Sequence, residues 1–290
     1  TNTVNDSLNI TVTKVDTDTV ATISDVLVAL TNTELKDSDG NILDKTFNLF
    51  DENSLGNKTP ANYKVSDSLG SIYKNLNIVG ATKTDSLGEL TLSELDLNGK
   101  TSFIVNSGST LNISDIKLKG NETVITNNGG NLNFTNNNII DGKISGTTAI
   151  NSGVLEINAN NLDVALINNG TLNLSGTLDK TISGNGITKV NETLNLSPSA
   201  AIDGILDLNN GTISTSDLSY SKYDITTING TGNATIDVDW VNSKADSFNS
   251  TSGNGVLNLT LNETSTENIW DTKTIQIANG GVGISLNTTT

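Results

Sequence analysis

The segment Asp237-Val238-Asp239-Trp240 comes closest, by residue type and spacing, to catalytic chemistry. Carboxylates two apart on one strand share a face, with backbones about 6.5–7 Å apart. A carboxylate pair flanking a glycosidic bond can divide the acid and base work, and a Trp beside it can stack on a sugar. A polysaccharide hydrolase with clustered carboxylates is therefore the enzyme alternative. The sequence holds no His, and all 16 of its basic residues are Lys. The His that such hydrolases often use and the Arg that polysaccharide lyases set against their substrate are both missing. The simpler expectation for Asp237 and Asp239 is an exposed acidic strand face.

Three further patterns carry chemistry. Asp37, Asp39, Asn41 and Asp44 in "DSDGNILD" offer oxygens at alternate positions, as a hard cation requires. No Glu closes that loop and Leu35 stands where an acid is needed in register with Gly40, so a hairpin turn is expected. Asn-x-Ser/Thr sequons recur at Asn9, Asn112, Asn121, Asn169, Asn191, Asn229 and Asn262 and are acceptors wherever the glycosylation machinery exists. Asparagines beside Asn-Gly turns, such as Asn127 and Asn168, can either serve the turn or stack in amide ladders between coils. Trp240 and Trp270 suit the end of a core or a sugar platform, with the core the expected role. Thr11 with Thr13, and Thr17 with Thr19, have an ice-binding spacing that does not recur once per coil. The sequence assigns no catalytic, cofactor-binding or metal-ligating residue.

Composition narrows the classes. A formal charge of -16 removes the basic footprint that nucleic acid or an anionic membrane surface demands. Zero Cys excludes disulfides and thiolate metal sites. No stretch of about 18 apolar residues is present to cross a membrane as a helix. Hydrophobic content of 34% is low for a sphere but sufficient for a thin stack, in which each coil buries only inward residues between neighbours. Zero Met indicates either a processed mature chain or a fragment, and a start at "TNTVNDS" after loss of a signal peptide fits secretion.

The positioning elements are short strands punctuated by Gly and Asn-Gly turns. Leu111, Leu132, Leu155, Leu172 and Leu194 lead successive Leu-x-Leu or Leu-x-Ile strands at steps of about 17 to 23 residues, one coil of a β-solenoid each. Leu206 follows after a shorter step. Inward positions run through Leu76, Ile78, Leu90, Leu92, Leu95, Leu97 and Ile104 to the same leucines and their i+2 partners. Residues 1–70 are expected as an N-terminal β cap or atypical first coils. The alternation in "SLNITVTKVDTDTVATISDVLVAL" suggests two or three strands there and no helix. Residues 71–290 are expected to form the solenoid, less regular over 216–290. The fold class is all-β, a parallel β-helix.

The strings "INNGTLNLSGTL", "GILDLNNGTIS" and "ADSFNSTSGNGVLNLT" resemble passenger domains of autotransporter-type surface proteins. "NNGGNLNFTNNN" is similar to the Gly-Gly and Phe-x-x-Asn repeats of polymorphic outer-membrane proteins, through Gly129, Gly130, Phe134 and Asn137. The resemblance spans about residues 100–262 and implies a right-handed parallel β-helix at a bacterial surface, in many cases an adhesin.

The expectation is a secreted, extracellular surface adhesin or structural fibre segment and not an enzyme, acting through an extended lateral face. Its partners would be a host or neighbouring-cell surface, a glycan or matrix. End-to-end homopolymerisation into filaments is a variant, because an uncovered terminal coil presents open strand edges.

Overall fold

A computed structural model describes residues 7–11, 19–51, 59–60, 62–65, 68–98, 101–265, 274–279 and 285–288. It is 65% strand and 5% helix and forms a mostly parallel β-solenoid of about 8 turns. The chain divides into two compact units, Thr1–Glu156 with Asn161–Val164, and Ile157–Asn160 with Ala165–Thr290.

The first unit opens with β1 (Ser7–Thr11), helix α1 (Thr19–Asn32), β2 (Asp44–Asp51), β3 (Thr59–Pro60) and β4 (Asn62–Lys64). It continues with β5 (Asn75–Gly80), β6 (Thr82–Thr84), β7 (Leu90–Asp96), β8 (Phe103–Asn106), β9 (Thr110–Asn128) and β10 (Asn131–Asn151). On one face β1, β2, β5 and the starts of β9 and β10 pair in parallel, so Leu8, Lys45, Leu76, Leu111 and Leu132 form a column. Phe47, Ile78, Ile113 and Phe134 form the next inward column, with Ile10 in register with Phe47. A second face aligns Tyr63, Leu95, Leu118 and Ile140, and a third Phe103, Ile125 and Ile144. Period-two alternation sends every other residue inward, and parallel register sets like upon like. Each buried Leu or Ile contributes about 1.5–3 kcal/mol.

Three expectations are corrected in this unit. The segment expected as two or three strands yields β1 and then the helix α1. Leu27, Leu30 and Thr31 are buried at helical spacing, and this one-sided burial overrides the strand propensity of the many Val, Ile and Thr residues. α1 packs on β2 and β4. Its last turn is finished by Lys45, which holds a leucine position in the inward column and donates its Nζ to the carbonyls of Leu30 and Thr33. Those carbonyls have no partner within the helix. Burial holds the Lys45 ammonium below its ordinary range.

Leu90 is 43% exposed, because it belongs to an antiparallel hairpin of β6 and β7 that joins the stack only at Ser93. Ile104 faces outward, since Phe103 and Val105 hold the inward parity of β8.

Strands β11 (Val154–Asn158) and β12 (Leu162–Asn168) have residues in both units. The second unit follows with β13 (Thr171–Leu178), β14 (Thr181–Ser183), β15 (Ile187–Leu196), β16 (Ala201–Asp207), β17 (Thr212–Ser214) and β18 (Lys222–Asn229). Then come β19 (Thr231–Asp239), β20 (Lys244–Ala245), β21 (Ser247–Asn249), β22 (Ser252–Gly253), β23 (Val256–Glu263), β24 (Ala278–Asn279) and β25 (Ser285–Thr288). Leu194, Ile213, Ala234 and Leu259 make one column of this core, and Leu172, Thr188, Leu206 and Ile228 another. Tyr223 stacks in register on Phe248, their ring centroids 6.2 Å apart. β19 and β20 turn back on each other as an antiparallel hairpin.

Candidate functional site

The outward positions carry polar ladders. In the first unit Thr46, Asn77, Asn112 and Asn133 occupy one column. The Asn77 amide donates to Thr46 Oγ1 at 3.1 Å, Asn112 to Asn77 Oδ1 at 2.8 Å and Asn133 to Asn112 Oδ1 at 2.8 Å. A second ladder runs from Asn128 to Asn106 at 3.2 Å and on to Ser71 at 3.0 Å. The second unit repeats the device, Asn258 to Asn233 at 3.4 Å and Asn249 to Asp224 at 2.6 Å. A side-chain amide has a donor and an acceptor on one short stem, which matches the roughly 4.8 Å spacing of paired strands.

Asn127 and Asn168 do something else. Both are buried. The Asn127 oxygen accepts the Gly130 amide at 2.8 Å while its Nδ2 donates to Thr148 O at 2.6 Å. The Asn168 oxygen accepts the Gly170 amide at 3.3 Å while its Nδ2 donates to Ile187 O at 3.1 Å. Each staples a turn to backbone in the next coil, where a side-chain ladder was one of the two expectations.

Asp237 and Asp239 depart further from expectation. Asp237 is wholly buried and Asp239 nearly so, and so they do not form an exposed acidic face. The 215–221 segment and the β19–β20 hairpin enclose them. Asp237 Oδ2 accepts the Leu218 amide at 2.6 Å and Oδ1 accepts the Asn262 side chain at 2.7 Å. Asp239 closes the turn after β19, taking the Asn242 amide at 2.9 Å and its side chain at 2.7 Å. A third carboxylate, Asp246, gave no signal in the sequence. It is fully buried and accepts Thr215 Oγ1 at 2.7 Å, the Asp237 amide at 2.9 Å and the Ser221 amide at 2.9 Å. Burial pushes its carboxyl up, against the opposing effect of those donors. Burial likewise pushes the Tyr223 phenol up to about 12. These carboxylates hold backbone in place, and their oxygens are occupied by main-chain amides and by the side chains of Asn262, Asn242 and Thr215.

The cation candidate is also a turn. Asp37 Oδ1 accepts the amides of Asp39 and Asn41, and the Asn41 side chain holds the Asp37 carboxyl below its ordinary range. Asp44 lies in β2, bonded to Asn75 at 2.8 Å. No group of three or more His, Cys, Asp or Glu converges among the described residues. Trp240 is half-buried beside the β19–β20 turn, and Trp270 lies outside the described residues. So do Thr13 and Thr17, while Thr19 begins α1. Of the sequon asparagines, Asn112 and Asn262 have their amides engaged, whereas Asn121 is exposed.

One concavity of 580 Å³ opens at the corner after β5, lined among others by Gly80, Thr82, Asp115, Asn136, Asn137 and Ser152. Another of 460 Å³ lies beside Asn121, Glu122, Asp141 and Lys143, where Lys143 pairs with Asp163 at 3.3 Å. Both are rich in hydroxyl, amide and carboxyl groups and hold no aromatic ring.

No protein-family model, no curated protein and no solved structure matches this chain.

Proposed function

We propose that this chain is a segment of a secreted cell-surface adhesin or structural fibre, autotransporter-passenger-like in design, working through its lateral β-solenoid face outside the cell. The observation that carries the reading is the outward ladder Thr46–Asn77–Asn112–Asn133, a row of half-buried, mutually hydrogen-bonded groups along the outer face of successive coils. Contact through such a face draws on area and repetition, and many weak contacts become firm attachment when they act together. The charge of -16 keeps copies apart in solution. Asp237 and Asp239 do not favour the hydrolase alternative, since they spend their oxygens on Leu218, Asn262 and Asn242.

Beads coated with the purified chain should attach to cells or to one class of glycan or matrix coating, and bovine albumin beads should not. Equal attachment by both would end the adhesin reading. Electron microscopy over a concentration series separates the fibre variant, which requires filaments with a subunit repeat.

A further inference from the structure

The coil that begins with β5 is longer than the one that follows it. The paired residues Asn77 and Asn112 lie 35 apart in sequence and Thr46 and Asn77 before them lie 31 apart, whereas Asn112 and Asn133 lie 21 apart. The excess is the β6–β7 hairpin, whose tip carries Leu87 at 84% exposure. Insertions into one repeat of a stack collect on one face, often the binding face. The 580 Å³ groove lies where this hairpin leaves the stack.

Its floor is built by close backbone approach. A Cβ on Gly80 would lie 2.0 Å from Asp115 O, and one on Gly153 would lie 2.2 Å from Asn136 O. Gly80, Asp115, Asn136 and Gly153 thus mark four rungs of one corner, a length of about 14 Å at strand spacing. Asp115 and Asn136 both hold φ above zero, 55° and 54°, a conformation that non-glycine residues adopt at a cost and that clusters at functional sites.

Asp115 is the brace. Its Oδ1 accepts Thr82 Oγ1 at 2.8 Å and the Asn137 amide at 3.3 Å, and its Oδ2 accepts Ser114 Oγ and Asn136 Nδ2, each at 3.2 Å. Those four bonds fill the carboxylate and tie the hairpin to the coils beside it. What remains for a ligand is the Asn137 side-chain amide, the Asn136 oxygen and the Ser152 hydroxyl, a mixed set of donors and acceptors. Vicinal sugar hydroxyls, which donate and accept at once, complement such a set. No Lys lines the groove to draw an anion, and the Asp115 charge opposes one.

From this, and resting on the adhesin reading above, we infer that the groove binds a neutral oligosaccharide of about three sugars, with Asn137 and Ser152 as contact residues and Asp115 as the positioning residue. Without a stacking ring the affinity is about millimolar, and display in many copies supplies the rest.

The test is an amide NMR titration of the full chain with cello-, chito-, malto- and manno-oligosaccharides, and with an alginate oligomer as the anionic comparison. One neutral member should move Thr82, Asp115, Asn137 and Gly153. Asn137→Ala should weaken it about five- to tenfold, the loss expected for a hydrogen bond, with the other amide shifts unchanged. No neutral member moving these amides, perturbation elsewhere, or tighter alginate binding would each overturn the inference. Bead adhesion measured in parallel keeps the two readings apart. Adhesion by the unaltered chain while no neutral oligosaccharide moves these amides leaves the lateral-face reading standing and removes the groove, whereas amide shifts without adhesion keep the groove and remove the adhesin.

Discussion

The Asp246 carboxylate accepts the main-chain amide of Asp237 at 2.9 Å, which joins the strand carrying one acid to the side chain of the other. The same carboxylate holds Ser221 and Thr215, and Asp237 in turn holds Leu218. Two buried acids thereby pin the 215–221 segment over β19. Asp246→Ala takes the carboxylate from two main-chain amides, while the Thr215 hydroxyl can still turn to Thr235 O at 3.3 Å, and should cost about 3 kcal/mol. Urea unfolding reads the total, and faster amide hydrogen exchange at Leu218 and Ser221 shows where it acts.

Burial raises the Asp246 carboxyl above its ordinary value of 3.8. A group whose folded pKa is raised contributes stability that is fully present below the unfolded pKa and is lost as pH rises through the folded value. The 215–221 segment should therefore loosen as pH climbs from about 3.8 through that higher value. Asp246→Asn should flatten this dependence. A pH series of hydrogen exchange at Ser221 tests it, and equal slopes in the two proteins would reject it.

Gly80→Ala forces a methyl to within 2.0 Å of a backbone oxygen that cannot retreat without moving the β9 corner. Destabilisation of about 2–4 kcal/mol is expected, in line with other changes that overpack or strain a fixed site. Gly88→Ala is the useful contrast. Nothing lies within 4 Å of its added Cβ, so only its φ of 82° is strained, and the loss should be near 1 kcal/mol.

Leu218 is 62% exposed and sits at φ 61°. Such a side chain gives up little burial when removed, while glycine adopts that backbone freely. Leu218→Gly should raise stability by about 0.5–1 kcal/mol, read as a higher urea midpoint with an unchanged slope. A lower midpoint would mean that Leu218 packs on something essential.

The inward leucines were legible because stacking repeats one simple rule, and Leu111, Leu132, Leu155, Leu172, Leu194 and Leu206 are all buried as their spacing requires. The rule fails where tertiary context replaces it. α1 hid behind β-branched residues that read as strand, and only the burial of Leu27 and Leu30 reveals its period. Leu90 alternates correctly but sits in the inserted hairpin. The Asp237 site was misread for the same reason. An outward strand position is exposed only if nothing crosses it, and the segment that crosses β19 is fixed by Asp246, whose role no local pattern announces. The groove at Asp115 was equally hidden, because its parts come from residues 80 to 154 and meet only through register.

The asparagine ladders also have a direction. Asn77, Asn112 and Asn133 each hand their hydrogen to the lower-numbered coil, and so do Asn128, Asn106, Asn258 and Asn249. Amide dipoles aligned head to tail polarise one another, and in each unit they run the same way along the chain. Such a row is a vector. A further coil that joins the higher-numbered side of the Asn133 row meets its amide oxygen and must bring a donor, whereas the lower-numbered side ends in the Thr46 hydroxyl, which can donate as well as accept. The side chains alone therefore distinguish one end of a stack from the other, before any backbone edge is considered.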